Sequence, residues 1–154
     1  MDSKRQQLVQ AVRAAIAGEE SEPEILQKAI ELIDAFSADF NWTGFYMMRD
    51  RMLEVGPYIG PKTEHTRIKL NEGICGTAAS QKKSLIVDDV NADPRFLACS
   101  LTTRSEIVVP LMDGQTCLGE IDIDSDKPSY FTDDDRRMLE EIAVVVVDRL
   151  RQVG

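Results

Sequence analysis

Three separated segments carry side chains suited to chemistry: Asn41-Trp42-Thr43-Gly44-Phe45-Tyr46, Gly73-Ile74-Cys75-Gly76 and Ser105-Glu106-Ile107-Val108-Val109-Pro110. Brought to one pocket by folding, they would offer aromatic rings, a thiol and carboxylates. That set suits a small, positively charged, sulfur-containing ligand and thiol chemistry on it. Asp122 and Asp124 stand two apart, so on a strand they share a face, as do Trp42 and Tyr46, four apart. The carboxylates of Glu106, Asp122 and Asp124 could hold an ammonium group by charge-assisted hydrogen bonds. Three acids close together repel, so one could retain its proton and serve as a general acid. Trp42 and Tyr46 would wall the polarised sulfur end, and Tyr46 also carries a hydroxyl.

The thiols are Cys75, Cys99 and Cys117, and the one histidine is His65. No C-x-x-C pair exists and the Cys/His spacing of a structural zinc site is missing, so no metal is expected. Cys75 falls near a helix start, where the dipole favours a thiolate; close packing beside Gly76 is the plainer role. Cys99 falls in a loop that could fold over a ligand, as a nucleophile or as a small buried side chain. Cys117 reads as a strand residue. His65 lies in a polar stretch and reads as a surface residue, with general acid or thiol activator as the alternative. Asp88-Asp89 and Asp133-Asp134-Asp135 read as solvated acids, without the spacing of a calcium loop.

Positioning these groups falls to elements marked by periodicity. Leu8, Val9, Val12, Ala15 and Ile16 predict a helix within 4–17, and Ile25 to Phe36 a second one capped by Ser21. From Trp42 the period shortens to two. Trp42–Met48 and Met52–Ile59 predict a hairpin around Arg49-Asp50-Arg51, followed by a short strand, Arg67–Leu70. A short helix follows Asn71-Glu72-Gly73, then a strand at 85–87 and a long loop from Asp88 to Leu101 with a helical turn. Ile107–Met112 and Thr116–Ile123 predict a second hairpin around Asp113-Gly114-Gln115. The last helix is capped by Thr132, with acids first and Arg149 and Arg151 last. Val144, Val145 and Val147 widen its apolar stripe, which suggests either a second copy of the chain or fuller burial within it. The order predicts an α+β fold: an antiparallel central sheet, flanking helices on one face, and loops enclosing a pocket on the other. One domain over 1–154 is expected, with a helical segment 4–38, sheet and loops 41–126, and a terminal helix 132–151.

Charge and composition narrow the classes. The 154 residues include 27 acidic and 18 basic side chains, for a net charge of -9. A nucleic-acid backbone or an anionic membrane surface needs a basic face, so neither is expected as a partner. No apolar run reaches membrane-span length. The polar N-terminus lacks a signal-peptide pattern, which makes the cytoplasm the expected location.

N-W-T-G-F-Y, G-I-C-G-T-A, A-C followed six residues later by S-E-I-V-V-P-L, and I-D-I-D-S recur here in order. This set resembles GAF-domain proteins, and among them the free methionine (R)-sulfoxide reductases, from about Asn41 to Leu150. The resemblance implies reduction of methionine sulfoxide as the free amino acid, with no metal or organic cofactor. It implies Cys99 as the catalytic thiol, standing in the loop before S-E-I-V, and Cys75 as the G-x-C-G cysteine, 24 residues earlier. Substrate-binding acids fall on Glu106, Asp122 and Asp124, and the aromatic wall on Trp42 and Tyr46. A thioredoxin-type reductant would restore the enzyme, and a homodimer is expected. One departure is chemical: the family's resolving cysteine lies ten residues before Cys75, where this chain has His65. Cys75 is then the motif-supported candidate for resolution. Another is local: Phe96-Leu97-Ala98-Cys99-Ser100 stands where the family has H-I-A-C-D. A non-catalytic GAF sensor of a small molecule and a dimerisation module are the competing readings.

Overall fold

The structure, a computed structural model, describes residues 1–96 and 102–154. Helix α1 spans Ser3–Ile16 and α2 spans Glu22–Ala35. Strands β1 (Trp42–Arg49), β2 (Met52–Ile59) and β3 (Arg67–Lys69) precede helix α3 (Gly73–Gln81). Strand β4 (Leu85–Val87) and a 3-10 turn (Val90–Ala92) lead towards β5 (Ser105–Asp113), β6 (Thr116–Ser125) and helix α4 (Asp133–Val153). The six strands form one antiparallel sheet in the order β3-β2-β1-β6-β5-β4. This is the α+β architecture expected from the sequence.

Local chemistry sets the element ends. Ser21 caps α2 by accepting from the Glu24 N–H at 3.4 Å. Thr132 and Asp135 cap α4 reciprocally: Asp135 N–H donates to Thr132 Oγ1 at 3.2 Å and Thr132 N–H to Asp135 Oδ2 at 2.9 Å. Asp135 was expected to be solvated, yet it is buried. Its other oxygen takes two hydrogen bonds from Arg5, at 3.1 and 2.8 Å, which pin the start of α1 to the start of α4. The β1–β2 loop is the two-residue turn Asp50-Arg51, both at positive φ (51° and 66°). That mirror-image turn matches the strand twist.

Each face of the sheet has its own core. On one, Phe45, Ile107, Val109, Leu111, Ile121 and Ile123 pack against Val12, Ile25, Ile30, Met138, Leu139 and Ile142 of α1, α2 and α4. Fully burying each such side chain stabilises the fold by roughly 1.5–3 kcal/mol. The three valines expected to widen the α4 stripe divide: Val145 and Val147 are buried, and Val144 is 60% exposed. On the opposite face a smaller cluster, including Trp42, Tyr46, Leu53, Ile68, Ile74, Ala78 and Val108, packs under α3.

Candidate active site

Strand register assembles the acids. Across β1, β6 and β5 the ladder aligns Trp42 with Asp124 and Glu106, Gly44 with Asp122 and Val108, and Tyr46 with Glu120 and Pro110. Alternation sends these side chains to the α3 face, while Thr43, Phe45, Ile121 and Ile123 turn to the helical core. Strands β5 and β6 run further than periodicity indicated, starting at Ser105 and ending at Ser125. Glu106 and Asp124 are therefore ladder partners within the sheet.

Glu106, Glu120, Asp122 and Asp124 are all buried, at 4%, 0%, 1% and 1% exposure. No oxygen of Glu120, Asp122 or Asp124 reaches a hydrogen-bond donor among the described residues. No lysine or arginine lies among the described residues lining the two voids at this face. Burial, helped by the Asp122 charge, holds the Glu120 and Asp124 carboxyls well above the ordinary carboxylate range. Burial also raises Asp122, partly offset by Glu106 and Cys75 beside it. Glu120 was absent from the expected site. The alternation in Glu120-Ile121-Asp122-Ile123-Asp124 that joined the two aspartates on one face places it there as well.

Cys75 stands on the first turn of α3, buried, with Sγ 3.9 Å from Glu106 Oε2. The helix dipole was expected to favour its thiolate. Instead burial, then the charges of Asp122, Glu120 and Glu106, push the thiol well above its usual value. A half-unit dipole charge at a helix end is outweighed by desolvation among carboxyls. Gly76 lets α3 approach this closely, because a Cβ there would intrude on the Lys69 carbonyl oxygen. Cys99, expected as nucleophile, lies outside the described residues. Cys117 is buried in β6, where its thiol donates to the Gly119 carbonyl at 3.2 Å. It lines neither void among the described residues.

Aromatic rings form the second wall. Trp42 stacks between Tyr46 and Tyr58, with centroids at 5.9 and 5.1 Å, and donates from Nε1 to the Pro61 carbonyl at 3.2 Å. Tyr58 joins through pairing opposite Gly44, a long-range register its own neighbourhood in sequence does not reveal. The indole lies over Gly44, where a Cβ would come within 2.6 Å of the ring. The Tyr46 hydroxyl, expected to face the ligand, donates to the His65 carbonyl at 2.9 Å. That bond draws the 60s segment over the site. His65, expected at the surface, is half-buried and lines the wall with Tyr46, Cys75, Glu106 and Asp122.

The voids between these walls are small. One of about 10 Å³ lies at the Cys75–Glu106–Asp122 end. The other, about 150 Å³, lies at the Trp42–Asp124 end and is lined further by Asn41, Pro61, Thr102, Thr103 and Asp126. A larger groove of about 470 Å³ beside α4, with Lys82, Ser84, Arg136 and Glu140, holds none of the buried acids or thiols. The arrangement can bind a cation, favour the protonated form of its carboxyl groups, and present a thiol to a ligand from which water is largely excluded.

Comparison with known proteins agrees with this architecture. Residues 6–149 match the GAF domain family. The chain is 42% identical over 105 residues to GAF domain-containing protein A of Dictyostelium discoideum, covering 68% of this chain and 66% of that protein. It is 36% identical over 129 residues to the free methionine-R-sulfoxide reductase of Escherichia coli, covering 84% of this chain and 78% of that one. The fold superimposes on the Neisseria meningitidis free methionine-R-sulfoxide reductase, solved in complex with its substrate, with a TM-score of 0.93 and 30% identity over 99% of this chain and 93% of that one. The chain belongs to the GAF domain family, in the company of proteins that carry the name free methionine-R-sulfoxide reductase.

Proposed function

We propose that this chain reduces free L-methionine (R)-S-oxide to L-methionine, with Cys99 as the nucleophile and a thioredoxin-type protein as the reductant. The observation that carries the proposal is the floor of buried, unpartnered carboxyls at Asp122 and Asp124 beside the stacked Trp42 and Tyr46. An amino acid's ammonium group supplies the positive charge that this floor lacks. Each charge-assisted hydrogen bond it makes is worth about 1.5–3 kcal/mol. A methionine sulfoxide inside a peptide has no ammonium, so it would leave the carboxyls unmatched. The relatives of that name support the choice of substrate.

Both flanks of the segment that carries Cys99 border the site. Phe96 packs against the cluster under α3, and Thr102, three residues along the chain from Cys99, lines the larger void. The Cys99 thiolate attacks the sulfoxide sulfur while a carboxyl that has kept its proton protonates the oxygen. Oxygen leaves with the cysteine as a sulfenic acid, and methionine departs two electrons richer. Glu120, Asp122 and Asp124 all have raised pKa values, so each fits the acid role. The Cys75 thiol then condenses with the sulfenic acid, releasing water and forming a disulfide, which the external dithiol reduces. His65 takes no part as a thiol, which leaves Cys75 to resolve. The cytoplasm is the compartment that suits such a reductant, and a homodimer would form across Val144 on α4.

The test is to incubate the reduced protein with free methionine (R)-sulfoxide and follow methionine release and thiol loss. Release of one methionine with loss of two thiols, abolished in Cys99→Ser, is the expected result. Retention of all three thiols with ligand bound would instead identify a sensor.

A further inference from the structure

We infer that Cys75, Glu106 and Asp122 also form a binding site for a single zinc ion. One donor atom from each lies within 4.8 Å of the other two. The three come from α3, β5 and β6, and all are more than nine-tenths buried. Neither Asp122 oxygen accepts a hydrogen bond of ordinary geometry among the described residues, and Asp122 lines the void together with Cys75 and Glu106. The void's volume, about 10 Å³, is close to what one water or one ion occupies.

The sulfur–oxygen separation suits the metal. Cys75 Sγ and Glu106 Oε2 are 3.9 Å apart. With zinc–sulfur and zinc–oxygen bonds of about 2.3 and 2.1 Å, that separation subtends roughly 125° at the ion, an angle that a three-ligand zinc site accommodates. A thiolate with two carboxylates favours zinc over magnesium or calcium, which take oxygen ligands in larger number. On binding, zinc replaces the Cys75 thiol proton and any proton on the Asp122 carboxyl, both of which leave to solvent, so no electrons change hands. The ion would then hold the Cys75 sulfur and occupy Asp122. The ligands lie 31 and 16 residues apart in sequence, which is why no zinc spacing is visible there.

The test uses a Cys99→Ser, Cys117→Ser protein, in which Cys75 is the one remaining thiol. The reduced protein is titrated with zinc against a chromophoric chelator, and separately with cobalt to read a thiolate-to-metal absorption band. One zinc per chain is expected, with the cobalt band lost on adding Cys75→Ser and zinc affinity at least tenfold weaker on adding Asp122→Asn, each variant shown folded by circular dichroism. Should Asp122→Asn fail to fold, Asp122→Ala takes its place and the cobalt band of the parent decides the sulfur ligand. No stoichiometric binding, a band that survives loss of Cys75, or equal competition by magnesium would overturn the site. Binding is read on the metal, so the result stands whether or not the chain reduces sulfoxides.

Discussion

Replacing Glu120 by glutamine should change how stability depends on pH. Glu120 is fully buried at the strand position opposite Tyr46, and its native pKa is raised well above that of an ordinary glutamate, by burial first and by the Asp122 charge second. An unfolded-chain glutamate titrates near about pH 4.3. Above that pH the unfolded chain has released the proton while the folded protein still holds it. Unfolding therefore becomes easier as pH rises, by about 1.4 kcal/mol per pH unit from this one group. The loss begins near the unfolded value and ends at the raised native value. Glutamine cannot titrate, so Glu120→Gln should match the wild type near pH 4 to within about 1 kcal/mol and gain on it by about 1.4 kcal/mol for each pH unit above, until the raised native value is reached. Urea unfolding at four values between pH 4.5 and 7.5 measures the difference, read from midpoints at constant slope. Parallel stability curves for the two proteins would refute the raised native pKa and with it the buried acid floor.

Further consequences follow from the same geometry. Glu120→Gln should also lower the Cys75 pKa, because the Glu120 charge is one of the causes that raise it; the pH profile of Cys75 alkylation in a Cys99→Ser, Cys117→Ser background reads this, and an unmoved midpoint counts against the contact. Asp124→Asn should weaken free methionine sulfoxide binding about 10- to 150-fold, the equivalent of one charge-assisted hydrogen bond; equal affinity in a titration would place the ammonium elsewhere. Cys75→Ser should permit one round of methionine release but stop thioredoxin-driven cycling, and continued cycling would remove Cys75 from the resolving role. Gly44→Ala should cost about 1–3 kcal/mol through overpacking, since the new Cβ would sit 2.6 Å from both the Trp42 ring and Tyr58 Cβ. The emission of Trp42, the chain's one indole, should shift with it; unchanged emission and unchanged stability would mean that the ring does not lie over residue 44.

Much of the frame was legible from short-range signals. The apolar stripe Ile25, Leu26, Ala29, Ile30 and Ile33 is α2, and the period-two run after Trp42 is β1. Ser21 and Thr132 cap the helices that they precede, as their side-chain chemistry requires. Asp122 and Asp124 share a face because strand alternation is local. Less legible were the acid at 120, the ring at 58 and the imidazole at 65. Glu120 is buried because β1 and β5 close on either side of β6, which its neighbours in sequence do not show. Tyr58 and His65 reach the site through the β1–β2 register and through the Tyr46 bond to the His65 carbonyl.

The sequence by itself determined which residues would be helical, which would alternate, and which thiols and acids were available. Those properties depend on neighbours a few positions away, and the chain displays them directly. Tertiary structure decided the direction in which the buried acids and Cys75 shift from their ordinary pKa values. Whether a carboxyl keeps its proton, or a helix-start cysteine its thiol, depends on how much water remains and on which charges arrive from other strands. For Cys75 the local signal, a helix dipole, pointed towards the thiolate, and burial among Asp122, Glu120 and Glu106 reversed it. Desolvation and Coulomb repulsion act through space between residues far apart along the chain, so only the folded arrangement sets their sum.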